Sequence, residues 1–316
     1  MSDADRASVP SVTSVPSVTS FARIVEEADD ETLLTIVGPT ASGKTSLAIA
    51  LAEALRGEII SADSVQIYTG FDIGSGKPTA EERAAAPHHL IDVLDPMAAI
   101  DAARFTELAD RAIADVRARG KRPIVCGGSF LWVKALLRGL AEAPRADAAI
   151  RARHREDAER DGNKSLHDRL RAVDPASAAR LHENDVLRVS RALEVFELTG
   201  RTQSEGHADH GFQAVRHKAR VLVIPRTPDE LTVRIAARVD AWLTGGWIEE
   251  TEALLARGYG QARAMTSVGY REVREHLAGN VPKDELAGAI VRATRIFARR
   301  QRTWLNHEPH ELLPWP

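Results

Sequence analysis

A glycine-rich segment early in the chain has the residue types that bind phosphate groups. It reads Gly-Pro-Thr-Ala-Ser-Gly-Lys-Thr over residues 38–45 and fits the pattern G-x-x-x-x-G-K-[ST] at every fixed position. Glycines permit a tight turn whose backbone N–H groups converge on phosphate oxygens, and Lys44 adds a positive charge. Thr45 supplies a hydroxyl ligand for Mg²⁺, which is the expected cofactor. The segment predicts a di- or triphosphate site formed by Gly38, Pro39, Thr40, Ala41, Ser42, Gly43, Lys44 and Thr45.

A carboxylate follows the next apolar stretch of the chain. Two residues separate Asp63 from Glu58-Ile59-Ile60, which is predicted to be a strand. In a parallel sheet this position puts the carboxylate at the carboxyl ends of the strands, beside the phosphate loop. There Asp63 could bind a metal ion or accept a proton from a substrate, and the residues alone leave both roles open.

The phosphate loop is not accompanied by residues that read a nucleotide base. A GTPase would need Asn-Lys-x-Asp, and the nearest string, Asn-Lys-Ser-Leu at 163–166, lacks the aspartate. A small-metabolite kinase that uses the loop for ATP remains an alternative, although no arginine-rich lid is evident. A non-enzymatic RNA-binding switch driven by ATP is a further alternative, which Asp63 beside the loop disfavours.

Strands and helices alternate around these residues. Strands are predicted at 33–37, 58–60, 90–93, 123–126 and 221–225. Helices are predicted at 44–56, 101–119, 129–137, 228–244, 247–257, 267–277 and 283–304. The alternation predicts an α/β fold with a P-loop NTPase-like parallel sheet flanked by helices, followed by a helical C-terminal region.

The chain divides into a tail, a core and an insertion. Residues 8–20 repeat a Ser/Val/Pro/Thr unit that buries little surface, so residues 1–31 are predicted to be a disordered tail. Residues 145–200 show only helical periodicity, which predicts an inserted all-helical subdomain at 142–212. The predicted P-loop core is then 32–141 and 213–316.

Composition excludes several classes of protein. The chain has 316 residues, 44% of them hydrophobic, and one cysteine, Cys126. No stretch of about 18 apolar residues or secretory signal occurs. We therefore expect no membrane partner, no intramolecular disulfide and a location in the reducing cytoplasm.

Charge is distributed unevenly. The net charge is −3, and residues 1–31 contribute −5 from seven acids and two bases, which leaves +2 for the remainder. Residues 286–306 contain no acid and carry Arg292, Arg295, Arg299, Arg300 and Arg302. A basic stripe on a near-neutral body indicates a polyanion bound at one face, although a solvated helix face has the same pattern.

Further strings, taken with the phosphate loop, resemble those of the tRNA dimethylallyltransferases, also called tRNA isopentenyltransferases. The resemblance covers residues 33–307. Its strings are Ser-Ala-Asp-Ser-Val-Gln-Ile-Tyr at 61–68, Asp-Ile-Gly-Ser-Gly-Lys-Pro at 72–78, His-His-Leu-Ile-Asp at 88–92, Gly-Gly-Ser at 127–129, Arg-Val-Ser-Arg-Ala-Leu-Glu-Val at 188–195, Val-Gly-Tyr-Arg at 268–271 and Arg-Arg-Gln-Arg-Thr-Trp-Leu at 299–305.

The resemblance implies a prenyl transfer. A dimethylallyl group would move from dimethylallyl diphosphate to N6 of the adenine just 3′ of the anticodon, giving N6-(dimethylallyl)adenosine in tRNA. The phosphate loop would then hold a diphosphate leaving group rather than ATP. A relative that prenylates free adenine nucleotides is the nearest alternative, but it would need neither the insertion nor the arginine stripe. The partners implied are dimethylallyl diphosphate and the tRNA anticodon stem-loop, with a monomer sufficient.

The resemblance also implies roles for individual residues. Asp63 would be the general base or hydrogen-bond acceptor for N6, and Thr40 and Arg238 would contact the diphosphate. The tRNA contacts would be Asp63, Ser64, Val65, Gln66, Ser129, Leu187, Arg188, Val189, Ser190, Arg191, Tyr270, Arg271, Arg299 and Arg302. Gln66 is expected to read a base edge and Tyr270 to stack on a base. Ser129 and Trp132 stand where the family has threonine and tyrosine, so contacts there are expected to differ.

Overall fold

The computed structural model describes residues 17–211, 214–305 and 308–316. Within those ranges no helix combines the length and apolarity that a membrane crossing requires. The described chain forms two compact units, the first of residues up to 136 and from 217 onward, the second of residues 137–216.

The strands of the first unit form one parallel sheet. They are β1 (Ser17–Val18), β2 (Leu33–Val37), β3 (Gly57–Ser61), β4 (His88–His89), β5 (Arg122–Gly127), β6 (Ala219–Val223) and β7 (Glu311–Leu312). Among the described residues their order across the sheet is β1-β7-β6-β2-β5-β3-β4. The α/β class and the parallel sheet predicted from the sequence are confirmed.

Helices occupy most of the remaining described chain. They are α1 (Phe21–Glu26), α2 (Lys44–Leu55), α3 (Ala80–Ala85), α4 (Ala102–Ala118), α5 (Phe130–Arg138), α6 (Ala148–Asp161), α7 (Asn163–Val173), α8 (Pro175–Arg180), α9 (Val186–Thr199), α10 (Gln203–His210), α11 (Pro228–Thr244), α12 (Trp247–Ala256), α13 (Tyr270–Leu277) and α14 (Lys283–Leu305). Short 3₁₀ turns lie at Tyr259–Gln261 and Arg263–Thr266.

The register of the central strands aligns their carboxyl ends. Val37, the last residue of β2, pairs with Gly127 at the end of β5, and Ser61 at the end of β3 pairs with Cys126. The loops that follow these three strands therefore leave the same edge of the sheet. They contain the phosphate loop, Asp63 and Ser129, which is the placement that the sequence predicts.

Apolar residues on the strands and on α2 form the main core. Leu34 and Ile36 of β2 pack with Leu47 and Leu51 of α2, all at most 2% exposed. The leucines recur every four residues and so lie on one face of the helix. This packing fixes the axis of α2 and with it the position of the phosphate loop at its N-terminus.

Two predictions about the fold are wrong. The strand expected at 90–93 is not formed; β4 ends at His89, and Leu90 and Asp92 have left-handed φ angles of 61° and 59°, which a strand cannot accommodate. Lys77 and Arg83 both pair with the Asp92 carboxylate and hold this turn.

The predicted disordered tail is the second error. Within residues 17–31, β1 pairs with β7, and Ile24 of α1 is fully buried in the main core. Residues 1–16, which contain most of the repeat, lie outside the described residues.

The second unit contains only helices among its described residues. Its core is formed by Leu166 and Leu170 of α7 with Val189 and Leu193 of α9. The unit runs from Leu137 to Arg216, somewhat wider than the insertion predicted at 142–212.

Candidate active site

A cavity of about 410 Å³ lies where the strand ends of the first unit meet. The site residues predicted from the sequence that line it are Thr40, Lys44, Thr45, Asp63, Ser64, Val65, Gln66, Ser129, Arg238 and Arg271. A single cavity thus joins the phosphate loop, the carboxylate after β3 and an arginine of α11.

The phosphate loop turns sharply before α2. Gly43, the residue before the helix, has φ 97°, a conformation that favours glycine. Arginines hold the loop carbonyls: Arg234 Nε donates to the carbonyl oxygen of Ala41 at 2.9 Å, and Arg226 Nε donates to that of Ser42 at 3.2 Å. With its carbonyls engaged, the loop can direct backbone N–H groups and the positive end of α2 toward an anion.

Lys44 is the first residue of α2 and lines the cavity. Its Nζ lies 3.5 Å from the carbonyl oxygen of Pro39 within the loop. Burial lowers the pKa of the Lys44 ammonium, against the opposing effect of Cys126 and Asp63. A bound anion would offset the cost of burying this charge.

Arg238 is a half-buried cation on α11. It donates a hydrogen bond to Thr40 Oγ1, and its guanidinium carbon lies 4.5 Å from the ring centroid of Trp242. Its Nε is buried and has no hydrogen-bond partner among the described residues. Burial lowers the pKa of Arg238 to about 10, so it remains charged at neutral pH. A charged group with an unpaired donor suits an anionic ligand.

The two oxygens of Asp63 have different environments. Oδ1 accepts hydrogen bonds from the backbone N–H groups of Val65 at 2.9 Å and Gln66 at 3.3 Å, which form a turn. No described residue donates a hydrogen bond to Oδ2. The turn therefore fixes the carboxyl group and leaves one oxygen for a substrate.

Gln66, the predicted base reader, is already engaged. Its Oε1 accepts from Ser61 Oγ at 3.0 Å, and its Nε2 donates to the carbonyl oxygens of Ser75 at 3.2 Å and Gly76 at 2.9 Å. In this arrangement Gln66 fixes the loop at 72–78 rather than presenting its amide to a ligand. Ser129 Oγ likewise accepts from the backbone N–H of Ser64 at 3.0 Å and holds the Asp63 turn.

Gln301 of α14 contacts the phosphate loop, although its role was not recognised in the sequence. Its Oε1 accepts from the backbone N–H of Thr40 at 2.9 Å, and its Nε2 donates to the carbonyl oxygen of Gly128 at 3.0 Å. It lies inside the Arg-Arg-Gln-Arg string at 299–302. A single uncharged residue among these arginines is the sequence signal that could have identified it. Gln301 links the loops after β2 and β5 to α14.

The expectation that Tyr270 stacks on a base is wrong for this structure. Its ring is fully buried and packs edge-on against Phe71 and Trp247. Burial, with the adjacent Glu250 carboxylate, raises the pKa of the Tyr270 phenol, and its hydroxyl donates to Glu250 Oε1 at 2.6 Å. No ring face is left for a nucleotide. The neighbouring Arg271 is exposed and lines the cavity.

The predicted tRNA contacts of the second unit separate into two groups. Leu187 is 85% exposed and Arg188 is also exposed, so both are accessible. Val189 and Ser190 are buried, which is incompatible with side-chain contacts to RNA in this conformation. Arg191 donates to Glu194 at 2.6 Å and to the carbonyl oxygen of Pro144 at 2.7 Å, and thus has a structural role.

The arginine stripe of α14 lies along a groove of about 530 Å³ next to α11. Arg292, Arg295, Arg299 and Arg302 line this groove together, as their spacing predicts. All four are exposed, and none of their side chains has an ion pair or hydrogen bond to another described residue. Their donors are available for an external polyanion.

The fold and the site together define a phosphate-loop α/β protein with a half-buried cationic pocket beside a carboxylate. The chain belongs to the IPP transferase family, whose model matches residues 66–308.

The chain is similar to named members of that family. It is 64% identical to a tRNA dimethylallyltransferase of Sorangium cellulosum, over 92% of each chain. It is 51% identical to one of Anaeromyxobacter dehalogenans, over 87% of this chain and 92% of the relative.

Solved structures agree with this assignment. The tRNA isopentenylpyrophosphate transferase of Bacillus halodurans has 37% identity and a TM-score of 0.66, over 90% of this chain and 89% of its own. A eukaryotic dimethylallyltransferase described as acting on tRNA has 25% identity and a TM-score of 0.76, over 90% of this chain and 73% of its own.

Proposed function

We propose that the chain transfers a dimethylallyl group from dimethylallyl diphosphate to N6 of the adenine 3′-adjacent to the anticodon in tRNA. The observation that carries this proposal is the shared cavity, where the phosphate loop and Arg238 lie with the free oxygen of Asp63. Membership of the family supplies the nature of the transferred group and of the acceptor.

The diphosphate of the donor would bind to the loop. Backbone N–H groups of residues 38–45, Lys44 and the unpaired Nε of Arg238 provide positive potential for the charge that develops on the departing oxygen. Thr40 orients the Arg238 guanidinium through its hydroxyl oxygen. Arg238 and Thr40 thus act together on the leaving group.

The transfer step exchanges one bond for another. The lone pair of adenine N6 forms a bond to C1 of the dimethylallyl group while the C1–O bond breaks, and its electron pair leaves with the diphosphate. The N6 amine loses a proton, which Asp63 Oδ2 accepts. The turn at Val65 and Gln66 keeps Oδ1 occupied, so the proton goes to the other oxygen.

The hydroxyl of Thr45 beside the loop fits Mg²⁺. Thr45 lines the cavity, and Mg²⁺ takes a hydroxyl oxygen of this kind together with phosphate oxygens and water. Within the described ranges no cluster of three His, Cys, Asp or Glu residues could hold a metal without the substrate. Bound there, Mg²⁺ would neutralise charge on the diphosphate.

The acceptor base must leave its stack to reach the half-buried carboxylate of Asp63. The unpaired arginines of α14 provide contacts for the RNA backbone, and Arg271 provides one at the cavity. A free nucleotide would not need the extended arginine groove. Because a single chain lines the cavity, we propose that a monomer is active, in the cytoplasm where tRNA is modified.

The test uses purified protein, Mg²⁺ and dimethylallyl diphosphate labelled in the prenyl group. Unmodified tRNA, the same tRNA with the adenine 3′ of the anticodon replaced, and AMP serve as acceptors. Label in the first alone supports the proposal. Label in AMP alone would assign the chain to nucleotide prenylation, and labelled ATP as donor tests the kinase alternative if neither acceptor is labelled.

A further inference from the structure

We propose that Trp242, supported by Trp247, closes the donor end of the cavity and limits the transferred prenyl chain to five carbons. This inference rests on the proposed transfer reaction and names the residue that determines which prenyl diphosphates are substrates. It assigns to Trp242 a specificity role at the wall of the cavity.

Trp242 lies next to the expected position of the diphosphate. It is four residues after Arg238 on α11, so both side chains lie on one face of the helix. The guanidinium carbon of Arg238 lies 4.5 Å from the centroid of the Trp242 ring. A prenyl chain attached to a diphosphate at Arg238 therefore begins beside this indole.

The wall behind Trp242 is rigid. Trp242 packs edge-on against Trp247, with ring centroids 5.4 Å apart, and Trp247 is 1% exposed. A Cβ at Gly74 or Gly269 would overlap the Trp247 ring, so these backbones already touch the indole. A Cβ at Gly76 would lie 2.8 Å from Cζ2 of Trp242.

Hydrogen bonds hold the loop that carries Gly74. Glu250 of α12 accepts from the backbone N–H groups of Asp72 at 3.0 Å, Ile73 at 2.7 Å and Gly74 at 3.4 Å. The two indoles are thus held between a fixed loop and α13. Close-packed surroundings of this kind do not move aside for an extra isoprene unit.

A second aromatic side chain in the cavity is the alternative candidate for limiting the prenyl chain. Phe297 of α14 also lines the cavity, but it is 40% exposed and lies on the helix that carries the arginine stripe. That position suits the acceptor side, where the base enters. The two aromatic walls can be distinguished by testing each in turn.

The experiment compares dimethylallyl diphosphate with geranyl diphosphate as donors to tRNA. The quantity measured is the ratio of kcat/KM for the two donors, for the wild-type protein and for the Trp242→Ala, Trp242→Leu and Phe297→Ala variants. We expect Trp242→Ala to lower the preference for the five-carbon donor by about 100-fold, because a cavity replaces the wall. Trp242→Leu should lower it less, and Phe297→Ala should leave the ratio unchanged.

The ratio separates specificity from a general structural effect. Loss of the ring beneath Arg238 would weaken the binding of both donors, because both bind through a diphosphate. This common effect cancels in the ratio of the two kcat/KM values. The affinity for inorganic diphosphate measures that common effect directly. Trp242→Leu keeps an apolar side chain and remains informative if Trp242→Ala fails to fold.

Two results would overturn the proposal. An unchanged ratio in folded Trp242 variants, or a relaxed ratio in Phe297→Ala instead, would move the chain-length limit away from Trp242. Failure of the wild-type protein to transfer the five-carbon group to tRNA would instead refute the proposed function, so the two failures are distinguishable.

Discussion

The polar atoms that line the cavity divide into those that the protein already uses and those left for a ligand. The side chains of Gln66, Ser129 and Gln301 form hydrogen bonds with backbone groups of the surrounding loops. These three residues therefore position the loops. Arg238 Nε has no such bond to a described residue, and the two hydrogen bonds of the Asp63 carboxylate go to Oδ1, which leaves Oδ2 without one. At the scale of single residues, these two atoms are the ones that we propose act on the substrate.

Asp63→Asn tests the proton acceptor without disturbing the turn. The asparagine Oδ1 can accept the same two backbone hydrogen bonds, whereas its amide nitrogen cannot take a proton. We expect kcat for transfer to fall by about 100- to 10,000-fold while the affinity for tRNA stays unchanged. Comparable losses of turnover and tRNA affinity would contradict the role as base.

The lowered pKa of Lys44 predicts a pH dependence of diphosphate binding. Because burial lowers this pKa in the free protein, the ammonium loses its proton at a lower pH than an exposed lysine would. Affinity for inorganic diphosphate should therefore decrease as pH rises through the alkaline range. Calorimetric titration of the wild-type protein measures this decrease.

Lys44→Arg is the matched variant, because a guanidinium holds its proton to higher pH than an ammonium in the same position. The pH dependence should be flatter in this variant. An identical pH profile in both proteins would assign the effect to another group.

At the scale of the elements, the edge of the sheet depends on a buried carboxylate in β3. Glu58 accepts from His89 of β4 at 2.6 Å and from Arg119, the residue after α4, at 2.5 Å. Burial by itself raises the pKa of Glu58, but these two hydrogen bonds outweigh it, so the pKa is lowered. One carboxylate thus joins two strands and a helix.

Glu58→Gln should destabilise the protein at neutral pH by about 1–2 kcal/mol, because hydrogen bonds to a charged group are lost. Since the pKa of Glu58 is lowered in the folded state, its contribution exists above the ordinary glutamate pKa and disappears as pH falls through the folded value. Urea denaturation at several pH values measures the difference, which should shrink in acid. Glu53→Gln, an exposed change on α2, is the control, and an effect of equal size there would refute the assignment.

Periodic elements were predictable from the sequence, and contacts between distant residues were not. The strand Leu33–Val37 and helices α2, α4, α11 and α14 matched their predicted bounds closely, because apolar spacing alone specifies them. Residues 17–31 were misjudged because the partner of β1 is β7, almost three hundred residues later, and because Ile24 of α1 packs into the main core.

The site was predictable to the extent that it follows strand ends. The phosphate loop and Asp63 lie where the sequence places them, since both follow strands of one parallel sheet. The burial of Tyr270 could not be anticipated, because it depends on Phe71, Trp247 and Glu250 from other elements. A motif indicates that a residue is used, whereas packing determines whether a ligand can touch it.

At the scale of the whole molecule, net charge conceals a local basic surface that we propose binds RNA. The chain has a net charge of −3, yet the groove on α14 presents four arginines without a carboxylate partner among the described residues. Local potential at such a stripe attracts a polyanion even when the protein is acidic overall. Its effect must depend on ionic strength.

Raising salt from about 50 to 200 mM should weaken tRNA binding steeply, because phosphate contacts release counterions. Replacing Arg295 and Arg299 with alanine should weaken binding and reduce the slope of log affinity against log salt by about one for each contact removed. Filter binding over a salt series measures both quantities. Arg111→Ala, which removes an exposed arginine of α4, should leave the slope unchanged, and an equal reduction there would contradict a localised RNA surface.

The two hydrogen bonds of Gln301 have a thermodynamic consequence. They connect α14, which carries the arginine stripe, to the backbone of Thr40 and Gly128. Movement of the helix is therefore coupled to movement of the phosphate loop. A donor that orders the loop would lower the entropy cost of RNA binding on the helix, and RNA would favour the donor by the same factor, because linkage is reciprocal. Neither substrate would then be bound independently of the other.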